Sequence, residues 1–199
     1  QNITNIFKKT ALAIIAAVFS TGCILEKYEA SGLQNVMIQL NVSADDLITK
    51  ATEAPTSDEM KINTLRIYAF QGDRLCGYYY KGSAYDGPIL MDLEIPDGVS
   101  YVDFYLIANE TEMAYENGLV QLSENMTRAQ LEAIKFTGLT ERKSLPMYCR
   151  KLSEPIDANA VSAVGNTVPG HEGHLLISDP VTFTLERSLA KLSVYAAKI

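Results

Sequence analysis

The chain has 199 residues and a formal net charge of -7, with 24 acidic side chains against 17 lysines and arginines. That length suits one domain of ordinary size once an N-terminal targeting segment is set aside. The acidic balance excludes nucleic acid as a partner, because phosphate contact needs a basic face. Trp is absent and His occurs twice, while the 11 Tyr suit strands better than helices.

Lys8 and Lys9 precede an apolar stretch, Thr10 to Phe19, which runs into Ser20-Thr21-Gly22-Cys23. This is the layout of a bacterial secretory signal read by the lipoprotein pathway. The stretch is too short for a stable membrane span, which needs roughly 20 apolar residues. Small residues at Ser20 and Gly22 fit a peptidase cleft, and the Cys23 thiol is placed to take the lipid and become the first mature residue. The usual motif has Leu three residues before the cysteine; here Ser20 stands there, with Phe19 one position earlier. A plain secretory signal, or a short membrane anchor with an incidental cysteine, is the competing reading. The expected organisation is a signal over 1–22, a tether over 23–35 and a domain over 36–199. Opening on Gln1 rather than Met, and stopping at Ile199 inside a strand-like segment, suggests a piece of a longer chain.

Val36, Ile38, Leu40 and Val42 alternate with polar Gln39 and Asn41, the period of two that marks a half-buried strand. Ser43 to Glu59 is polar and acidic and reads as a loop. Thr64 to Phe70 is a second strand. Gln71-Gly72-Asp73-Arg74 turns the chain, and Leu75 to Tyr80 returns as a hairpin partner. Ile89, Met91, Leu93 and Ile95 form a fourth strand, ended by Pro96-Asp97-Gly98. Tyr101 to Asn109 forms a fifth, with Val102, Phe104, Leu106 and Ala108 inward. Thr127 and Gln130 make a capping box for a helix whose stripe is Ala129, Leu131 and Ile134 and whose end is Gly138. Leu145 to Cys149 reads as an edge strand because of Pro146. Asn159 to Gly173 reads as a long loop, and Val181 to Leu185 and Leu189 to Ile199 as closing strands. Many short alternating strands with a single short helix argue an all-β chain folded as a β-sandwich.

The residues offer little catalytic chemistry. His171-Glu172-Gly173-His174 has its histidines three apart beside glycines, whereas a zinc-protease helix needs them four apart on one face. It reads as a solvated loop. Asp45, Asp46, Asp58 and Glu59 lack the spacing of a calcium loop. No metal, cofactor or nucleophile is assigned. Tyr78-Tyr79-Tyr80 points at sheet packing, since Tyr79 faces away from its neighbours on a strand. Cys76 and Cys149 are candidates for a disulfide in an oxidising envelope, but the sequence does not fix their separation.

Four segments occur in an order that resembles Bacteroidales-type fimbrillins. They are Thr64-Leu65-Arg66-Ile67-Tyr68-Ala69-Phe70 running into Gln71-Gly72-Asp73-Arg74-Leu75; Val102 to Ala108-Asn109; Leu145-Pro146-Met147; and Leu185-Glu186-Arg187-Ser188-Leu189-Ala190-Lys191-Leu192-Ser193-Val194. The resemblance implies a Greek-key-like, transthyretin-like sandwich that is the first of two domains. It implies a structural subunit of a cell-surface fimbria, stalk or tip, that travels to the outer membrane as a lipoprotein and supports adhesion. Its partners would be other fimbrial subunits and, through the lipid, the outer membrane. A protease would then remove an N-terminal segment, and a strand of one subunit would fill the groove opened in the next. On this chain the displaced strand would be Val36, Ile38, Leu40 and Val42. Family subunits are commonly cut after Arg, but no Arg lies between Cys23 and Arg66, and Lys50 is the basic residue in the acidic loop. A cell-anchored base subunit that keeps its lipid is the nearest alternative. An outer-membrane glycan-binding lipoprotein is a further one, weakened by the lack of Trp, and a surface hydrolase has no residues to support it.

Cys23→Ala is expected to abolish labelling by palmitate and to leave the protein soluble in the envelope. Labelling that survives the substitution would place the lipid elsewhere.

Overall fold

The computed structural model describes residues 32–44, 60–110, 122–134, 145–161 and 174–187. Everything below concerns the unit that begins at Leu33. Its elements are β1 (Leu33–Ala44), β2 (Leu65–Gln71), β3 (Arg74–Lys81), β4 (Ile89–Pro96), β5 (Val99–Ala108), α1 (Arg128–Glu132), β6 (Met147–Asp157), β7 (Leu175–Leu176) and β8 (Val181–Arg187).

The strands follow one hydrogen-bonded path, β3-β2-β5-β6-β8-β1-β4, with β7 also against β1. The join between β6 and β8 is two residue pairs long, Met147 with Arg187 and Tyr148 with Glu186. That narrow join lets the path fold over into two facing layers. One layer is β3-β2-β5-β6, and the other is β8 and β7, β1 and β4. The core between them is built largely from alternate residues of five strands, Ile38 and Leu40, Leu65 and Ile67, Met91 and Leu93, Phe104 and Leu106, and Phe183 and Leu185, with Cys76 of β3 and Met147 and Ile156 of β6. Phe104 meets Phe183 edge-on across the layers, ring centres 5.2 Å apart, a geometry that the ring quadrupoles favour.

The sides of the sandwich are closed differently. On one side β3 and β4 approach without forming a ladder. Gly77 permits this, since a Cβ there would lie 2.5 Å from Leu93 Cδ2, 2.7 Å from Met91 Cε and 2.8 Å from the Asp92 carbonyl. Arg74 adds a bond to the Glu94 carboxylate at 3.1 Å and one to its carbonyl at 2.7 Å. On the other side stands the short β6–β8 join. The two tight turns use glycine where the backbone turns left-handed, with φ of 61° at Gly72 and 83° at Gly98.

Several expectations are met and some are corrected. The expected strands over 64–70, 75–80, 89–95, 101–109 and 181–185 all form, to within one to two residues at most ends. β1 begins at Leu33, inside the segment read as a tether. The Thr127–Gln130 capping box is present, but the helix ends at Glu132, with Leu131 buried and Ala129 exposed; Gly138 lies outside the described residues. The segment starting at Leu145 was expected as a short edge strand. It is an 11-residue strand paired with β5 along its length and with β8 at its start, and Pro146 stands just before it. A proline at that position costs no ladder bond. The closing strand expected over Leu189 to Ile199 lies outside the described residues.

The outer face of β2 and β5 was not expected to be buried. Tyr68, Phe70, Tyr105 and Ile107 form a second apolar cluster with Met126 and Leu131, brought over them by the segment that carries α1. Arg128 of α1 bonds Asp103 at 2.6 Å, and the Tyr105 hydroxyl donates to Glu132 at 2.6 Å. Burial and that carboxylate push the Tyr105 hydroxyl up to about 12.

Phe104→Ala is expected to cost about 3–5 kcal/mol, as a large-to-small change at a fully buried site. Gly77→Ala is expected to cost about 1–3 kcal/mol through overpacking. Urea unfolding of both variants checks this, and a loss under about 0.5 kcal/mol at Gly77, the surface range, would show that β3 and β4 can separate freely.

Candidate functional site

The candidate site is the slot that β1 fills. Val36, Ile38 and Leu40 have no exposed surface and Val42 has 7%, so all four expected positions share one inward row. β1 runs antiparallel to β4 over eight pairs, from Leu33 with Pro96 to Leu40 with Ile89. It runs parallel to β8 over five, from Leu40 with Val181 to Ala44 with Leu185. Its other edge also meets β7 in parallel at Val36 and Met37. Leu40 is thus paired with both β4 and β8, and Val36 and Met37 with both β4 and β7. The inward row places Val36 beside Leu93, Ile38 beside Met91, and Leu40 beside Ile89 and Val181.

Among the described residues β4 has no ladder partner except β1. Taking β1 away would strip every ladder bond from β4 and leave β8 with its two pairs to β6. It would also expose apolar walls, Ile89, Met91 and Leu93 on one side and Val181 and Phe183 on the other. Burying a large aliphatic side chain stabilises by about 1.5–3 kcal/mol, so the four of β1 together contribute roughly 6–12 kcal/mol. That is on the scale of a whole domain's stability, about 5–15 kcal/mol. An empty slot would therefore cost the domain most of its stability.

The layer opposite is held independently. Asn109, almost fully buried, adopts φ 58° and ties three segments together. Its Oδ1 accepts from the Asn63 amide at 2.8 Å, and its Nδ2 donates to the carbonyls of Lys61 at 2.9 Å and Leu145 at 2.7 Å. Asn is among the few non-glycine residues that tolerate this backbone region. Arg66 is paired with both oxygens of Glu110, at 2.7 and 2.8 Å, and its guanidinium also bonds the Tyr78 hydroxyl. Burial lowers the Arg66 pKa, but the Glu110 hydrogen bonds and charge outweigh it and hold the guanidinium above its ordinary range.

Other sequence-marked residues are dispersed. Tyr78 packs in the outer cluster, Tyr79 against the main core, and Tyr80 lies 4.2 Å from Arg66 as a cation–π partner. The tyrosine run therefore offers no flat platform. Cys76 and Cys149 are free thiols on β3 and β6. With β2 and β5 between these strands, the cysteines are separated by roughly 14 Å of strand spacing, well beyond disulfide reach. The bridge left open by the sequence is not formed. Burial pushes the Cys76 thiol up to about 11 and raises Cys149 as well, which keeps both protonated near neutrality. His174 Nδ1 lies 2.8 Å from Asp92 Oδ1 of β4. Cys23, Lys50, Asp45, Asp46, Asp58, Glu59 and His171 to Gly173 lie outside the described residues. Among the described residues no cluster of His, Cys, Asp or Glu could hold a metal ion, and no helix is long and apolar enough to cross a membrane.

No protein-family model matches the chain, and no curated protein matches it. Among solved structures it is similar to the tip fimbrial protein Mfa3 of Porphyromonas gingivalis with a C-terminal truncation, at 15% identity and a TM-score of 0.39, covering 77% of this chain and 48% of that one. It is also similar to a Bacteroides eggerthii protein named for cell adhesion, at 16% identity and a TM-score of 0.44, covering 77% and 40%. A fimbrial assembly protein from Parabacteroides distasonis is a third, at 9% identity and a TM-score of 0.36, covering 78% and 53%. The chain spans about half the length of these structures.

Leu40→Ala is expected to cost about 2–5 kcal/mol, and Asn41→Thr, on the opposite face of the same strand, no more than about 0.5 kcal/mol. Equal losses at both positions in chemical unfolding would show that β1 does not read its slot by alternation.

Proposed function

We propose that this chain is a β-sandwich domain of a fimbrial subunit, exported as a lipoprotein through Cys23, and that β1 is the element exchanged between subunits during assembly. Its role is structural rather than enzymatic, its partners are other subunits, and its place is the cell surface. The observation that supports this reading best is the position of β1. Every ladder bond of β1 goes to β4, β7 or β8, and none goes to β2, β3, β5 or β6. The 15 residues of 45–59 that connect it to the rest include Asp45, Asp46, Glu53, Asp58 and Glu59, a polar stretch suited to protease access. A cut there severs the covalent link without touching the opposite layer.

The slot sets two conditions on a replacement strand. It must run antiparallel to β4 and parallel to β8, which fixes its direction. It must also present an apolar side chain at every second position. Strand addition works on these terms, with backbone bonds giving affinity and alternating side chains giving register. The absence of Arg between Cys23 and Arg66 favours, as a second reading, a base subunit that stays uncut and keeps its lipid.

A lysine-specific protease is expected to cut first at Lys50, and the product to self-associate into ladders that dissociate on heating. Lys50→Gln should stay monomeric under the same treatment. A cut product that loses β1 and remains monomeric at high concentration would favour the base-subunit reading.

A further inference from the structure

β1 is held by more than its ladders. Asp92 on β4 is the register partner of Met37 on β1. On the other side of β1, Met37 pairs with Leu176 of β7, and the Ile177 amide donates to the Met37 carbonyl at 2.8 Å. His174 stands immediately before β7. The 2.8 Å contact between His174 Nδ1 and Asp92 Oδ1 therefore crosses β1 obliquely, from Asp92 level with Met37 on one side to His174, one residue before the Val36–Leu175 pair, on the other. Asp92 alternates with Met91 and Leu93, which point into the core, so the contact passes over the outward face of β1. Met37 belongs to that face, yet it has no exposed surface.

We propose that His174 and Asp92 form a clasp across β1 that limits how readily β1 leaves its slot. The ladders resist peeling in the plane of the sheet, bond by bond. A side-chain link over the outer face resists a different motion, in which β1 lifts away from the core while β4 and β7 stay in place. Both side chains of the link are partly exposed, at 28% for His174 and 37% for Asp92, so it can be broken without unfolding the core. Its consequence for assembly rests on the reading of β1 as the exchanged strand. The clasp itself is a property of the intact, uncut chain and is tested there.

The experiment is amide hydrogen exchange on the intact protein near neutral pH, comparing the wild type with Asp92→Ala, His174→Ala and the double variant. A partly exposed pair of this kind has a modest worth, so each single variant is expected to speed exchange in β1, β4 and β7 by about three- to fivefold. Amides of β2 and β5 should keep their wild-type rates, and the double variant should match the singles within about twofold, because either change alone opens the clasp. Unchanged β1 exchange would overturn the proposal. So would acceleration shared equally by β2 and β5, or single-variant effects that multiply in the double variant. None of these outcomes depends on whether the protein polymerises, so the clasp and the exchange reading fail separately.

Discussion

The fold turns on the fact that, among the described residues, β4 has its ladder hydrogen bonds to β1 alone, with side-chain bonds from Arg74 and His174 added. Its approach to β3 is a packing contact, made close by Gly77 and pinned by Arg74 and Glu94. One strand thus organises half of the sandwich: it gives β4 its ladder, extends the pairing of β8, and fills the row between their side chains. A strand in that position contributes far more than a surface element of the same length. The pairing with β8 joins Leu40 to Val181 across most of the chain. Such long loop closures slow folding.

The other half takes no ladder bond from β1, although it shares the main core with the β1 side chains. β2 and β5 are buried on both faces, by the main core on one side and by Met126, Leu131 and their neighbours on the other. Asn109 fastens the end of β5 to the segments before β2 and β6, and the Arg66–Glu110 pair fastens the outer surface. Removing one partner of a buried pair like that costs about 3–5 kcal/mol, because the other charge is left stranded. The domain therefore combines a firmly tied layer with a layer whose pairing runs through one strand. The proposed exchange draws on that asymmetry, since it requires a scaffold that persists while the slot changes occupant.

How much of this could be read in the sequence depended on the distance over which each cause acts. Strands β1 and β4 were legible because most of their inward residues alternate with polar ones, and β5 because Val102 to Ala108 is a nearly continuous apolar run; both are local properties. The Thr127–Gln130 cap and the Gly72 turn were legible for the same reason. The true extent of β6 was not, since Arg150 to Pro155 carries little apolar alternation and is ordered by its ladder to β5, with an irregularity near Asp103 where the Ser153 amide donates to the carboxylate. β7 has two residues and no periodicity to read. The outer cluster was hidden too, although its signal was present: Tyr68, Phe70, Tyr105 and Ile107 sit on faces that would carry polar groups if they met water. The inward row of the candidate strand was readable residue by residue, whereas its place between β4 and β8 was not, because pairing order is a property of the whole chain.

The proposed exchange requires that the slot accept a strand in trans. The most direct measurement adds an excess of labelled synthetic peptide with the sequence Leu33 to Ala44 to chain cut at Lys50, then follows incorporation after separation of free peptide. Near one labelled peptide per domain is expected, in exchange for the native β1. A peptide with Ser in place of Val36, Ile38, Leu40 and Val42 should be rejected. No incorporation over days, or equal incorporation of the serine peptide, would contradict the claim.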